Sequence, residues 1–146
     1  MVAKKCVFCD SDESIDHLFF DCPFARLVWR VIHFTFNIPP PANVTNMFGN
    51  WLNGVDKKNK AYVRVGICAL VWAIWNCRND LVFNKNQNAH SLQVIRMVTH
   101  WIRERSYLLP EHKWAHMDIG CTRLETVAQD IYNQGGWRLT RRLQDA

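Results

Sequence analysis

The first 22 residues hold three cysteines and one histidine, Cys6, Cys9, His17 and Cys22, spaced as C-x2-C-x7-H-x4-C. Zn²⁺ prefers thiolate sulfur and imidazole nitrogen as ligands, and a two-residue gap lets one tight turn present two sulfurs to the same ion. A segment this short and acidic has little to order it without a metal, so metal binding and local folding are expected to be one event. The spacing therefore predicts one structural zinc ion held by these four side chains. The alternative is three reduced cysteines and a histidine that are close in sequence by chance and bind no metal.

The rest of the composition is that of a folded chain. Of the 146 residues 49% are hydrophobic, which is enough for a sizeable core and argues against disorder. No apolar targeting segment precedes Cys6, so we expect an intracellular protein, nuclear or cytoplasmic, with reduced cysteines. The isolated Cys68, Cys77 and Cys121 are then expected to be small buried hydrophobic residues. The longest apolar stretch, 65–75, is far shorter than the roughly 20 residues that span a bilayer, and it predicts a helix buried on every side.

Hydrophobic periodicity and helix-breaking residues predict a mainly α fold. It consists of a small zinc-stapled N-terminal knuckle, with a short β-hairpin around residues 6–9, followed by a helical bundle. Helices are expected over 24–36, 44–52, 56–83, 91–108 and 121–132, with a loop over 111–118. We divide the chain into a knuckle plus first helix (1–36), a helical body (37–108) and a C-terminal extension whose role the sequence leaves open (109–146).

Charge is segregated along the chain. Residues 1–22 carry two lysines against five acidic residues, whereas residues 56–86 carry six lysines or arginines against two aspartates. Since lysine and arginine supply much of the affinity for phosphate backbones, RNA or single-stranded DNA is a candidate partner. We expect the contacts at Arg26, Arg30, Lys57, Lys58 and Lys60 rather than at the acidic knuckle. The alternative is a solvated basic face that keeps the domain in solution.

No set of residues in the sequence predicts catalysis. The glycines form no phosphate-binding loop, and His17 is followed by Leu18-Phe19 where a zinc deaminase needs H-x-E. Four protein ligands also leave a zinc ion no open position for a catalytic water. We therefore expect a protein that is not an enzyme and has no small-molecule substrate.

Two segments in order resemble a known family. The segment CVFCDSDESIDHLFFDCPFARLVW (from Cys6 to Trp29) resembles the zinc-binding segment that follows the polymerase in plant LINE-type (non-LTR) retrotransposon reverse transcriptases. The segment ALVWAIWNCRNDLVFNK (from Ala69 to Lys85) is similar to the W-x-I-W-x-x-R-N-x-x-x-F stretch that commonly follows it, and the likeness covers about residues 5–108. The resemblance implies zinc ligands at Cys6, Cys9, His17 and Cys22, and a retroelement context with RNA or DNA contact. The Asp-Asp pair of the polymerase does not occur in this chain.

Two functional hypotheses follow. The first is a non-enzymatic zinc-binding domain derived from a retrotransposon reverse transcriptase, with a role in binding or positioning nucleic acid. The second is a protein–protein docking module whose zinc site is purely structural and whose partner binds the apolar helix, or a retroelement remnant without a function. In neither hypothesis does the protein contact a membrane.

Overall fold

The computed structural model describes residues 4–83 and 91–136, except the side chains of residues 58, 91, 135 and 136. These ranges contain five α-helices: α1 (Pro23–Phe36), α2 (Val44–Phe48), α3 (Lys57–Phe83), α4 (Ser91–Ser106) and α5 (Trp114–Ile131). Short 3₁₀ turns lie at Asn50–Gly54 and Glu111–Lys113, and π-helical turns at His17–Asp21 and Tyr132–Gly136. The predicted mainly α class, with a Cys/His cluster at the N-terminus, is confirmed.

Helix α1 begins and ends where the sequence predicts. Pro23 occupies its first position, where the missing N–H is not needed. Asn37 ends the helix in the left-handed conformation, with φ 56°, and donates its N–H to the carbonyl of His33 at 2.7 Å. The prolines that follow cannot continue the helix. The buried stripe of α1 includes Leu27, Val28, Trp29 and Val31.

The helices form a bundle in which α3 packs against α4, α4 against α5, and α1 against both α4 and α5. Helix α4 is the central element, and its buried face includes Leu92, Ile95, Val98, Thr99 and Ile102. This burial follows from the 3.6-residue period, which places all five side chains on one side of the helix. In the part of the chain that the structure describes, no helix combines the length and the apolar character needed to cross a membrane.

Helix α3 differs from its prediction. Its apolar centre is not buried on every side, because Trp72 is 48% exposed, Trp75 is 39% exposed, and Cys68 is exposed as well. Ala69, Leu70, Ala73 and Ile74 occupy the buried face. The physical reason is that α3 lies at the edge of the bundle, where α4 covers one side of it. The expectation of burial therefore holds for Cys77 and Cys121 but is wrong for Cys68.

The first half of α3 borders a mainly apolar cavity of about 480 Å³ between α1 and α5. Its walls include Ile32 and Phe36 from α1, Val63 and Ile67 from α3, and Gly120 and Leu124 from α5. The second half of α3 is packed more closely, since its buried residues Leu70, Ala73 and Ile74 are at most 1% exposed.

Two further predictions are corrected. Residues 111–118 are not a loop: after a short 3₁₀ turn, α5 begins at Trp114, seven residues before the predicted start of a helix. The earlier residues of α5 pack against the bundle, since Met117 is buried in the core and Asp118 forms an ion pair with Arg103 of α4. No β-hairpin forms around residues 6–9 in the described chain, where a single antiparallel bridge joins Lys5 to Asp12. Lys85, within the resemblance, lies outside the described residues.

Candidate metal centre

A tight turn presents Cys6 and Cys9. The N–H of Asp10 donates to the carbonyl of Cys6 at 3.0 Å, and the N–H of Cys6 donates to the carbonyl of Ser11 at 2.7 Å. Asp10 has a positive φ of 63°, a conformation that aspartate tolerates better than most residues. The turn thus reverses the chain directly after Cys9, so that both sulfurs of the C-x2-C pair face the same side.

His17 and Cys22 flank the π-helical turn His17–Asp21. The Ser14 hydroxyl accepts the backbone N–H of His17 at 3.0 Å, as an N-cap side chain does, and fixes where the turn begins. Cys22 is the residue directly before α1, and its N–H donates to the carbonyl of His17 at 2.8 Å. Trp29 of α1 donates its indole N–H to the carbonyl of Phe19 at 2.7 Å, so the first helix holds this turn in place.

The four predicted ligands meet at one point. Their donor atoms, three Sγ and one imidazole nitrogen, all lie within 4.8 Å of one another. Cys6 Sγ and Cys22 Sγ are 3.8 Å apart, and Cys9 Sγ is 3.0 Å from Nε2 of His17. Two sulfurs that each lie about 2.3 Å from a tetrahedral zinc ion are separated by roughly 3.8 Å. The cluster therefore has the donor set and the size of a four-coordinate zinc site.

The surroundings of the cluster favour thiolate at Cys6 and the protonated thiol at Cys22. The pKa of Cys6 is lowered to about 5, first by the hydrogen bond with Cys22, while burial opposes the shift and the N–H of Phe8 adds to it. That N–H lies 3.4 Å from Cys6 Sγ. The pKa of Cys22 is raised, because it is the partner that keeps the proton and because it is buried. A bound divalent cation would take the place of that proton and stabilise both sulfurs as thiolates.

Glu13, between the two pairs of ligands, joins the cluster to the bundle. Its carboxylate accepts two hydrogen bonds from Arg78 of α3, at 2.8 Å from Nη2 and at 3.1 Å from Nε. Both side chains are largely buried, 15% exposed for Glu13 and 9% for Arg78. The guanidinium also lies 5.0 Å from the ring centre of Trp75 and donates to the side chain of Asn79. A charged contact therefore connects residues that are 65 positions apart.

Residues 1–29 match the family model described as zinc-binding in reverse transcriptase. The matched range includes all four residues of the cluster. This segment is similar to that zinc-binding domain family. The match extends over 29 of the 146 residues, so it describes the knuckle and the first turns of α1. Neither the search of curated proteins nor the search of solved structures found a significant match.

The predicted nucleic-acid contacts lie on two helices, α1 and α3. Arg26 and Arg30 are exposed on α1 and line a shallow depression beside Pro40 and Pro41. Lys57 is exposed and Lys60 half-buried in the first turn of α3, and the side chain of Lys58 lies outside what the structure describes. A contact between these residues and nucleic acid stays a prediction.

The remaining cysteines have the properties of core residues or of a free surface thiol. Burial raises the pKa of Cys77 to about 12, and it raises the pKa of Cys121 to about 11 against the opposing effect of Arg103. Cys68 is exposed on α3. None of the six cysteines, all of which lie within the described residues, forms a disulfide.

Sequence reasoning missed the residue that supports the cluster. The Arg-Asn pair of the second family-like segment is Arg78-Asn79, and its arginine is the partner of Glu13. The sequence pattern includes this arginine in a motif but does not indicate which residue it contacts. The sequence did contain one signal for this ion pair, which was an acidic residue between Cys9 and His17 together with an arginine on a largely apolar helix.

Proposed function

We propose that this protein is a non-enzymatic, zinc-stabilised helical domain derived from the reverse transcriptase of a plant LINE-type retrotransposon, and that it binds RNA or single-stranded DNA. The observation that carries the proposal is the cluster of three thiols and one imidazole within 4.8 Å of one another. Residues 1–29, which contain the cluster, are similar to a segment that binds zinc in a protein acting on nucleic acid. The metal would hold the knuckle against α1 through Cys22 and against α3 through Glu13.

The closed ligand set supports a structural role. Three thiolates and one imidazole fill the tetrahedral coordination of zinc, and catalytic zinc sites keep one position for water or substrate. The buried thiols of Cys77 and Cys121 have raised pKa values and are poor nucleophiles. The zinc ion would therefore supply folding energy rather than chemistry.

The charge of the body supports nucleic-acid binding. Helix α3 carries five lysines or arginines against one acidic residue, Asp80. The knuckle has the opposite sign, and its Asp10, Asp12 and Asp16 are exposed. A polyanion would therefore bind the helices and avoid the knuckle.

The proposal is tested in two steps on reduced, purified protein. Elemental analysis is expected to find one zinc per chain in the parent and none in Cys9→Ser, whereas Cys68→Ser keeps its zinc. RNA and single-stranded DNA oligonucleotides are then titrated at several salt concentrations. We expect the logarithm of the association constant to fall linearly with the logarithm of salt concentration, and the slope to be smaller when Lys57, Lys58 and Lys60 are replaced by glutamate. A well-folded parent without zinc, or without any affinity for either oligonucleotide, contradicts the proposal.

A protein–protein docking module is the second candidate. The exposed acidic side chains of the knuckle favour it, since they repel phosphate but can pair with a basic protein surface. Under this reading the charge reversal on α3 leaves partner binding nearly unchanged, and the parent shows no salt-dependent affinity for oligonucleotides.

A further inference from the structure

One face of α3 is exposed through the middle of the helix. Arg64, Cys68, Trp72 and Trp75 follow one another at intervals of three or four residues and are all exposed. At about 100° of rotation per residue, these four side chains lie within an arc of about 80° on the helix. Indole rings are the largest side chains available for burial, so two adjacent exposed tryptophans on a basic helix point to an interaction surface.

Helix α4 extends this surface. The rings of Trp72 and Trp101 meet edge to face, with their centres 6.4 Å apart. The guanidinium of Arg105 lies 5.3 Å from the ring centre of Trp101. Indole rings that pack against one another and against a guanidinium lose little conformational entropy on binding. We call Arg64, Trp72, Trp75, Trp101 and Arg105 the aromatic–arginine face.

Arg64 and Arg105, at the edges of this face, can each form an ion pair with a ligand. Among the residues that the structure describes, neither Arg64 nor Arg105 forms an ion pair, and both are exposed. Arg78, next to Trp75, is different because Glu13 compensates its charge. Both arginines are therefore available to pair with an anionic ligand.

We propose that the aromatic–arginine face binds single-stranded nucleic acid, with bases stacked on Trp72 and Trp75 and backbone phosphates held by Arg64 and Arg105. This inference rests on the proposed function and names the surface and the form of the nucleic acid. Exposed aromatic rings beside cations are the means by which proteins bind single strands without reading their sequence. A duplex cannot use these rings in the same way, because its bases are already stacked on one another. The surface differs from the predicted contacts at Arg26, Arg30, Lys57, Lys58 and Lys60.

Zinc-loaded protein is titrated with a fluorescent twelve-nucleotide oligo(dT) and with an abasic strand of the same length. Stacking on an aromatic side chain contributes about 1–3 kcal/mol per base, so Trp72→Ala and Trp75→Ala are each expected to weaken oligo(dT) binding by roughly five- to a hundredfold. The matched control is Phe48→Ala, since Phe48 is 80% exposed on α2. The abasic strand is expected to bind the parent much more weakly than oligo(dT), because it offers phosphates without bases.

For Arg105, the matched control is another arginine of the same helix. Arg105 and Arg96 are both exposed on α4, and nine residues of rotation place them on opposite sides of it. We expect Arg105→Ala to weaken binding several-fold and to reduce the salt slope by about 1, whereas Arg96→Ala leaves both unchanged.

Cys68 provides a test that does not depend on the folding of a variant. It is exposed on α3 one turn before Trp72, whereas Cys77 and Cys121 are buried and the other three thiols belong to the zinc cluster. Saturating oligo(dT) is expected to slow alkylation of Cys68 by a bulky maleimide several-fold. An unchanged alkylation rate with strand bound overturns the inference.

The outcomes separate this inference from the proposed function. If the parent binds oligo(dT) and the tryptophan variants bind it equally well, the inference is wrong and the proposed function stands. If the parent binds no oligonucleotide, both are wrong. If Trp72→Ala converts a dimer into a monomer in sedimentation and leaves oligo(dT) affinity unchanged, the face is an interface between copies of the chain, and the inference is again wrong.

Discussion

Replacement of Glu13 by glutamine should destabilise the fold through a charge that then has no partner. In the native structure Glu13 and Arg78 form a two-point ion pair with side chains 15% and 9% exposed. Removal of one charge from a buried pair typically costs about 3–5 kcal/mol, because the remaining charge stays desolvated. Since both side chains keep some contact with solvent, we expect the lower end of that range, about 3 kcal/mol.

Urea unfolding in the presence of excess zinc measures this loss, with tryptophan fluorescence as the readout. With a urea dependence of about 2 kcal/mol/M, a loss of about 3 kcal/mol lowers the unfolding midpoint by about 1.5 M. The matched control is Asp12→Asn, which removes the exposed ion pair between Lys5 and Asp12 on the same loop. We expect no measurable change for that control, because exposed pairs contribute little.

A double-mutant cycle shows whether the loss belongs to the pair. Arg78→Met alone should also destabilise, since it leaves the Glu13 carboxylate without its partner. In the double variant Glu13→Gln/Arg78→Met neither charge remains, so its loss should be smaller than the sum of the two single losses by at least about 1 kcal/mol. If Glu13→Gln unfolds at the same urea concentration as the parent, the buried pair does not hold the knuckle to α3 and our reasoning is wrong.

Three shorter predictions concern zinc, the thiols and α3. Cys9→Ser should release zinc and reduce helical content in circular dichroism, whereas a Cys68→Ser control should match the parent; full helicity without zinc would contradict a structural site. At pH 8 in the folded, zinc-loaded protein, a thiol reagent should modify Cys68 rapidly and leave Cys77 and Cys121 unmodified, since burial holds the pKa values of the latter at about 12 and 11; equal rates for the three thiols would refute their assignment as core residues. Gly66→Ala should raise the free energy of unfolding by about 0.5–1 kcal/mol, because a Cβ there meets its nearest neighbour, Ile102 Cδ1, at 4.0 Å and alanine stabilises helix interiors; a lower urea midpoint would show that the space is not free.

The helices were predictable because the local signals for them are strong. Helix α1, for example, begins at Pro23 and ends before the three consecutive prolines from Pro39, as the sequence predicts. The side of α3 that faces solvent was not predictable, because a continuous apolar stretch has no polar side to mark its orientation. Its exposure depends on its neighbours, and those are set by tertiary packing. The early start of α5 was missed for a similar reason, since neither the burial of Met117 nor the ion pair between Asp118 and Arg103 is a local signal.

The metal cluster was predictable because all four candidate ligands lie within 17 residues, and spacing alone limits how far apart they can be. The ion pair that connects the cluster to α3 was not predictable, because Arg78, the partner of Glu13, is 65 positions away in sequence. The predicted cationic residues illustrate the same limit. Arg26 and Lys57 were grouped by charge, but charge along a sequence does not tell which side chains share a surface.

The connections of the knuckle explain why a small metal site can organise a much larger helical chain. Cys22 is both a candidate ligand and the residue before α1, so a metal bound there fixes the start of the first helix. Glu13 lies between Cys9 and His17, and metal binding at those two positions also holds Glu13 where it meets Arg78. Arg78 in turn contacts Trp75, one of the exposed rings of α3. Since each link is a direct contact, the free energy of metal binding would stabilise the end of α3 as well as the knuckle. An acidic zinc knuckle is then consistent with the proposed binding role, because a bound metal would support the helix that presents the aromatic–arginine face.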